Sequence, residues 1–171
     1  AGGVAKADYA LVYSFYFVGI GGNEIPEVDI EIRVGSVVEI TGNPEYEANF
    51  PSNSSMCIYM AADASEIKSI AGFVGGGIPE GMTNEEVLAE AGEDFSDFIP
   101  EMAADGYALA VYKNLTEGTT YDVVLGFETV YGKVQTYRTT YTPAAAATPS
   151  RRLNVEPRGA VLNLELAQLR F

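Results

Sequence analysis

The chain has 171 residues, of which 24 are acidic and 10 basic, so its net charge at neutral pH is −14. This length suits one domain of ordinary size with extensions, and nucleic acid is an improbable partner because phosphate binding needs a basic surface. Histidine is absent, which removes the commonest general base and the commonest transition-metal ligand. Cys57 is the only cysteine, so no intrachain disulfide can form.

The first 34 residues predict an N-terminal hairpin. Residues 9–20 are rich in aromatic and β-branched side chains, as in a strand buried on both faces, and their apolar run is too short to cross a bilayer as a helix. A Gly-Gly-Asn turn follows, and residues 27–34 alternate apolar and charged. The spacing in 9–18 recurs in 121–130. Either this similarity arises by chance, or residues 1–34 end a preceding, truncated module.

Three further strands are expected at residues 36–40, 45–50 and 56–60, separated by Gly, Asn, Pro and Ser residues typical of turns. Asp63 followed by Glu66 has the form of a helix start, and we expect a short helix as far as residue 73. The glycines at 75–77 then predict a loop.

Residues 79–105 read as a helical insertion. Thr83 and Glu86 form a capping-box pattern, and apolar residues recur at three- and four-residue spacing. Because Gly92 and Pro100 interrupt this run, we expect two short helices at 84–91 and 93–98. The simplest role of the insertion is to cover an open sheet edge.

The most informative stretch runs from Tyr107 to Tyr141. It predicts a strand at 107–112, a polar corner, a strand from Tyr121 with alternate residues facing a core, a turn at 131–133, and a returning strand at 135–141. This succession fixes an all-β fold class.

The corner resembles that between the fifth and sixth strands of fibronectin type III domains, through Leu115, Gly118, Thr119 and Tyr121. The resemblance implies an immunoglobulin-like β-sandwich over residues 35–142, with the Tyr121 ring in the core and its hydroxyl bonded to nearby backbone. The chain departs from the family in having Glu117 where proline is usual and in lacking tryptophan. It resembles divergent modules of bacterial surface lipoproteins more than animal ones.

Residues 143–152 have the composition of a linker, and residues 153–171 contain an apolar, strand-like segment. A strand that apolar needs a partner sheet. It can pair with the N-terminal hairpin, extend the sandwich or await another chain, and we expect it to pair with the hairpin.

No constellation of residues predicts catalysis or a cofactor. Eight carboxylates between Glu85 and Asp105 raise the possibility of calcium or of an acid–base pair, but they match no calcium-loop pattern and follow a helical face. The glycines near 75 lack the Lys-Ser/Thr of a phosphate loop. We therefore expect no catalytic residue, no metal site and no cofactor, and Cys57 reads as a buried small apolar residue.

Two of the eleven tyrosines are candidate ligand contacts, because exposed aromatic rings stack on sugars and anchor protein contacts. Tyr131 lies in the turn, and Tyr112 is expected opposite the core face. The sequence thus favours a non-catalytic binding or adhesion module of a secreted or cell-surface bacterial protein, with a protein or glycan partner. The alternative is a purely structural spacer between neighbouring modules. An enzyme ranks third.

Overall fold

The structure is a computed structural model that describes residues 25–145 fully and the backbone of residues 11–14 and 163–164. These residues form nine strands and three α-helices. The strands are β1 (Leu11–Ser14), β2 (Ile30–Gly35), β3 (Met56–Ala62), β4 (Ile67–Gly75), β5 (Glu93–Asp94), β6 (Ala108–Tyr112), β7 (Tyr121–Thr129), β8 (Val134–Tyr141) and β9 (Asn163–Leu164). The helices are α1 (Val37–Thr41), α2 (Asn84–Ala91) and α3 (Ile99–Asp105).

The strands form two sheets, so the described protein is mostly β, as predicted. The first sheet has the order β1-β2-β3-β6-β9, and the second has the order β5-β4-β7-β8. Every pairing is antiparallel except that of β9, which lies parallel to β6. This arrangement is compatible with the predicted β-sandwich.

The main core lies between the sheets and takes alternate side chains from both. Ile30, Ile32 and Ile58 come from the first sheet, and Leu125 and Phe127 come from the second. All five are at most 3% exposed. The alternation confirms the predicted inward face of β7 and fixes its register, since a one-residue slip would turn these side chains out of the core.

The described terminal segments lie at opposite edges of the first sheet. β1 pairs with β2 as the predicted hairpin, with Leu11 opposite Val34. β9 pairs with β6, with Leu164 opposite Tyr112. The expectation that the two ends pair with each other is therefore wrong for the described residues: both extend the first sheet. The rest of both terminal strands and most of the linker lie outside the described residues.

Two predicted strands are instead short helical segments. Residues 36–40 contain α1, because Ser36 accepts a hydrogen bond from the Glu39 backbone while the Glu39 side chain accepts one from the Ser36 backbone. Residues 45–50 begin within a 3₁₀-helix, Pro44–Glu47, that Asn43 caps. In both places the capping residues outweigh the β-branched composition.

The reverse error occurs at residues 63–73, where a helix was predicted. Asp63 does cap, but only the 3₁₀-turn Ala64–Glu66, and the chain then continues as β4. The apolar residues of β4 serve two layers: Ile70 and Val74 face the main core, and Phe73 faces the layer beneath α2. A strand covered on both faces has no clean alternation to distinguish it from a helix.

The insertion covers a sheet edge as predicted, but it also completes the core. Helix α2 matches the expected 84–91, whereas the second expected helix at 93–98 is wrong: β5 pairs with the edge of β4, and α3 begins later, with Pro100 in its first turn. Phe95, Phe98 and Met102 lie in the main core at 2% exposure each. Proline starts this helix rather than interrupting one, because its missing N–H is not needed there.

Candidate functional site

The corner before β7 has the predicted structural role. The Tyr121 hydroxyl accepts a hydrogen bond from the Thr116 backbone N–H at 2.9 Å, and the ring is buried beside Leu115 in the main core. Gly118 turns the chain with a φ of 80°, a conformation that disfavours other residues. Its N–H also donates to the Pro143 carbonyl at 2.9 Å, which holds the start of the linker against the corner.

Tyr112 is not exposed, so its prediction as a ligand contact is wrong for this structure. Its ring is 0% exposed in the main core, and its hydroxyl donates to Glu93 Oε1 at 3.2 Å. Burial and the neighbouring carboxylate raise the pKa of Tyr112. The face of β6 that the sequence assigned to the core packs Leu109 and Val111 against α1, a helix that the sequence did not predict.

Tyr131 is exposed, as predicted. It lies in the β7–β8 turn with 43% of its surface accessible, and its hydroxyl donates to Glu66 Oε2 at 2.7 Å. That hydrogen bond and the glutamate charge raise the pKa of Tyr131. The bond fixes the direction of the ring while leaving it open to solvent, which is the arrangement that a stacking contact needs.

Three aliphatic side chains among the described residues are also exposed. Val130, Val134 and Ile25 are 52%, 48% and 46% exposed. Val130 and Val134 flank the turn, and Ile25 lies two residues before Glu27, whose carboxylate is 2.5 Å from Lys133 Nζ in that turn. We call Ile25, Val130, Tyr131 and Val134 the apolar tip. Of these four residues only Tyr131 was predicted as a contact, although valines on both sides of a Tyr-Gly-Lys turn are a usable signal in the sequence.

A cleft opens beside the tip on the outer face of the second sheet. Its volume is about 310 Å³, and its lining is mainly apolar. It lies between α2 and the sheet, where Gly126 lets Leu88 approach so closely that a Cβ on the glycine would be 2.6 Å from Leu88 Cδ1. Lining residues are Ser69, Ala71, Glu85, Leu88, Ala89, Gly126, Glu128 and Val134. Because Val134 belongs to both, the tip and the cleft are continuous.

A second concavity of about 210 Å³ lies along the start of β8. Residues 133–137 and Glu27 line it. Here the Gln135 side chain acts as a strand partner: its Oε1 accepts from the Val28 N–H at 2.7 Å, and its Nε2 donates to the Val28 carbonyl at 3.0 Å. The bond ties the chain entering β2 to the second sheet.

Some acidic residues of the insertion form structural hydrogen bonds. Glu86 completes the capping box of Thr83, and Asp94 accepts from the Ser96 N–H at 2.8 Å. Hydrogen bonds from Thr83 lower the pKa of Glu86, and hydrogen bonds from the Ser96 side chain and backbone lower the pKa of Asp94. Among the described residues, no three His, Cys, Asp or Glu side chains are grouped as they would be to hold a metal ion.

Cys57 is fully buried on the outer side of the first sheet, beneath α1, and burial raises the pKa of its thiol. This confirms the prediction of a buried small apolar residue.

No helix in the described part of the chain is long and apolar enough to span a membrane. Comparisons with protein-family models, curated proteins and solved structures find no match to this chain.

Proposed function

We propose that the chain is an immunoglobulin-like module of the fibronectin type III kind that serves as a non-catalytic binding or adhesion module of a bacterial surface protein. Strand order supports the fold part of this proposal. The run β2-β3-β6 corresponds to strands A, B and E of such domains, and β4-β7-β8 corresponds to C, F and G. The Tyr121 corner lies between the strands that correspond to E and F.

The apolar tip carries the binding part of the proposal. All four exposed large apolar side chains among the described residues belong to it. Scattered single apolar residues are normal on a surface, whereas their concentration at one place marks a contact site. The adjoining cleft adds concave apolar surface, so the site combines a projecting ring with a pocket.

The position of the linker fits this role. The chain leaves β8 at Thr142 and is held by the Gly118–Pro143 bond and by the Ala144 N–H, which donates to the Ser52 carbonyl. This end of β7 and β8 is opposite the turn that carries the tip. A module attached through the linker therefore presents the tip away from its attachment.

A protein partner at the cell surface fits the tip best, because three of its four side chains are aliphatic and would gain by burial. A glycan that stacks on Tyr131 is the second candidate for the same site. A spacer, in contrast, needs no exposed ring. Removal of the Tyr131 ring should therefore impair a binding module and leave a spacer unaffected.

The test compares Tyr131→Ala with Tyr131→Phe in pull-downs from the surface fraction of bacterial and host cells and on a glycan array. We expect the alanine variant to lose binding about tenfold or more, as for a central aromatic contact, and the phenylalanine variant to keep it. Both variants lose the Glu66 hydrogen bond, so that bond cancels from the comparison. Absence of any ligand would favour the spacer, and equal binding by both variants would show that the Tyr131 ring is not the contact.

A further inference from the structure

The cleft beside the apolar tip exists because small residues form most of its floor. Ser69 and Ala71 of β4 pair with Glu128 and Gly126 of β7, and all four line the cleft. Three of the four are Ser, Ala or Gly, so the sheet leaves room beneath α2. The volume of about 310 Å³ is near the lower end of the range for ligand pockets, roughly 300–1,000 Å³. The cleft therefore suits one extended side chain better than a large ligand.

The opening is confined to one half of the contact between α2 and the sheet. Further from the β7–β8 turn, Phe73 and Val124 of the sheet are fully buried and pack with Val87 of the helix. Towards the turn, Val134 lines the cleft and also belongs to the apolar tip. A ligand in the cleft is therefore adjacent to the tip.

Two carboxylates line the cleft, and its lining residues include no Lys or Arg. Glu85 is exposed and forms no hydrogen bond or ion pair within residues 25–145. Glu128 accepts from Ser69 Oγ at 3.0 Å, which fixes its direction, and its other oxygen lies 3.6 Å from Lys68 Nζ. Because the Lys68 side chain is 67% exposed, this ion pair is weak and leaves the carboxylate open to a second cation.

Apolar walls with carboxylates beside them match one kind of side chain. Lysine and arginine bury an apolar stem while their charged end stays at the surface. Leu88, Ala89 and Val134 offer the apolar contacts for such a stem, and Glu85 and Glu128 offer the negative charge. An anionic ligand would be repelled by both carboxylates, and a neutral one would gain nothing from them.

We propose that the cleft binds an aliphatic cation, which the protein seated on the apolar tip supplies as a lysine or arginine side chain. The source of the cation rests on the proposed function, since Val134 belongs to both places and one partner can cover both. A second copy of the chain is a poor source, because two molecules with a net charge of −14 repel each other.

The first experiment needs no partner. The full isotope-labelled chain is titrated with pentylammonium, 1-pentanol and pentanoate, which share an alkyl chain and differ in charge. We expect pentylammonium to shift the amide signals of Ala71, Leu88, Ala89 and Gly126, and to bind about threefold or more tighter than pentanol, as an exposed ion pair allows. Pentanoate should not bind measurably, and added salt should reduce the preference for the cation.

Matched variants show whether the carboxylates are responsible. Glu85→Gln and Glu90→Gln both remove one exposed charge from α2, but only Glu85 lines the cleft. We expect Glu85→Gln to weaken pentylammonium binding about threefold and Glu90→Gln to leave it nearly unchanged. Lys68→Met removes a competing cation from Glu128 and should tighten binding about twofold, which a purely structural role of Glu128 would not produce.

The partner that binds the tip distinguishes this proposal from the proposed function. We expect Glu85→Gln to weaken that partner about threefold or more, and Glu90→Gln to leave it unchanged. If Tyr131→Ala loses binding while both glutamine variants bind alike, the partner does not use the cleft, and this proposal is overturned while the tip stands. If pentylammonium binds in the cleft and no partner is found, the proposed function fails and the cation site holds.

Two results of the titration would overturn the cation site itself. Pentanol that binds as tightly as pentylammonium would show a site for a neutral apolar ligand. Cleft amide signals that respond only to the concentration of the chain would show a second copy in the cleft.

Discussion

Single polar atoms decide much of the local structure. The Tyr121 hydroxyl, the Gln135 amide and the Tyr112 hydroxyl each form defined hydrogen bonds from a buried side chain. The Tyr112–Glu93 bond links β6 of the first sheet to β5 of the second, and Gln135 of β8 bonds the segment that enters β2. These bonds specify how the sheets are placed, since a buried polar group without a partner would be costly.

Tyr121→Phe tests the corner. It leaves the Thr116 N–H without its partner, and we expect a loss of about 1–3 kcal/mol in the free energy of unfolding. Urea unfolding measures it, with Tyr131→Phe as the control because that hydroxyl is solvent-exposed and should change stability by less than about 0.5 kcal/mol. Equal midpoints for wild type and Tyr121→Phe would show that the corner bond contributes nothing.

At the scale of elements, the sequence predicted those whose pattern is local. The β7–β8 hairpin, β3, β6 and α2 follow from alternation, turn residues and a capping box. Residues 36–40 were misassigned because the capping box of Ser36 and Glu39 outweighs their β-branched composition. Residues 67–73 were misassigned because β4 is covered on both faces. The predicted exposure of Tyr112 was wrong because β6 is also covered on both faces. The exposure of Tyr131 could be predicted because it follows from the position of this residue in a turn.

The insertion also depends on a close approach that the sequence alone does not reveal. Gly72 of β4 lies under the Phe95 ring, and a Cβ there would collide with that ring. Gly76, four residues on, has open space around it. The ring can be buried only because the strand beneath it has no side chain.

Gly72→Ala should therefore destabilise the protein by about 1–3 kcal/mol through overpacking. Gly76→Ala is the matched control and should change the free energy of unfolding by less than about 0.5 kcal/mol. Thermal and urea unfolding, with near-ultraviolet circular dichroism to follow aromatic packing, measure both. Equal effects from the two variants would contradict the packing of Phe95 against β4.

For the whole molecule, buried tyrosines make the free energy of unfolding depend on pH, since the chain contains no histidine. Burial raises the pKa of Tyr137 to about 12, and burial also raises those of Tyr112 and Tyr141. Below about pH 10 these groups are neutral in both the folded and the unfolded state. Above it the unfolded chain loses protons first, so stability falls as the pH rises from about 10 towards the folded-state pKa.

We expect the urea midpoint to change little between about pH 7 and 8, to begin to fall as the Cys57 thiol ionises in the unfolded chain, and to fall steeply above about pH 10 as the tyrosines follow. Tyr137→Phe removes one of the groups whose pKa burial raises and should make that fall shallower. An unchanged slope in this variant would mean that Tyr137 ionises alike in both states.

The buried thiol of Cys57 reports how often the structure opens. Its sulfur is 0% exposed, and burial holds the thiol in its protonated, unreactive form. A thiol reagent can thus modify the native chain only during the moments when α1 lifts from the sheet or the whole sandwich opens. The labelling rate counts those moments directly, and its dependence on urea separates the small opening, which exposes little surface, from the large one.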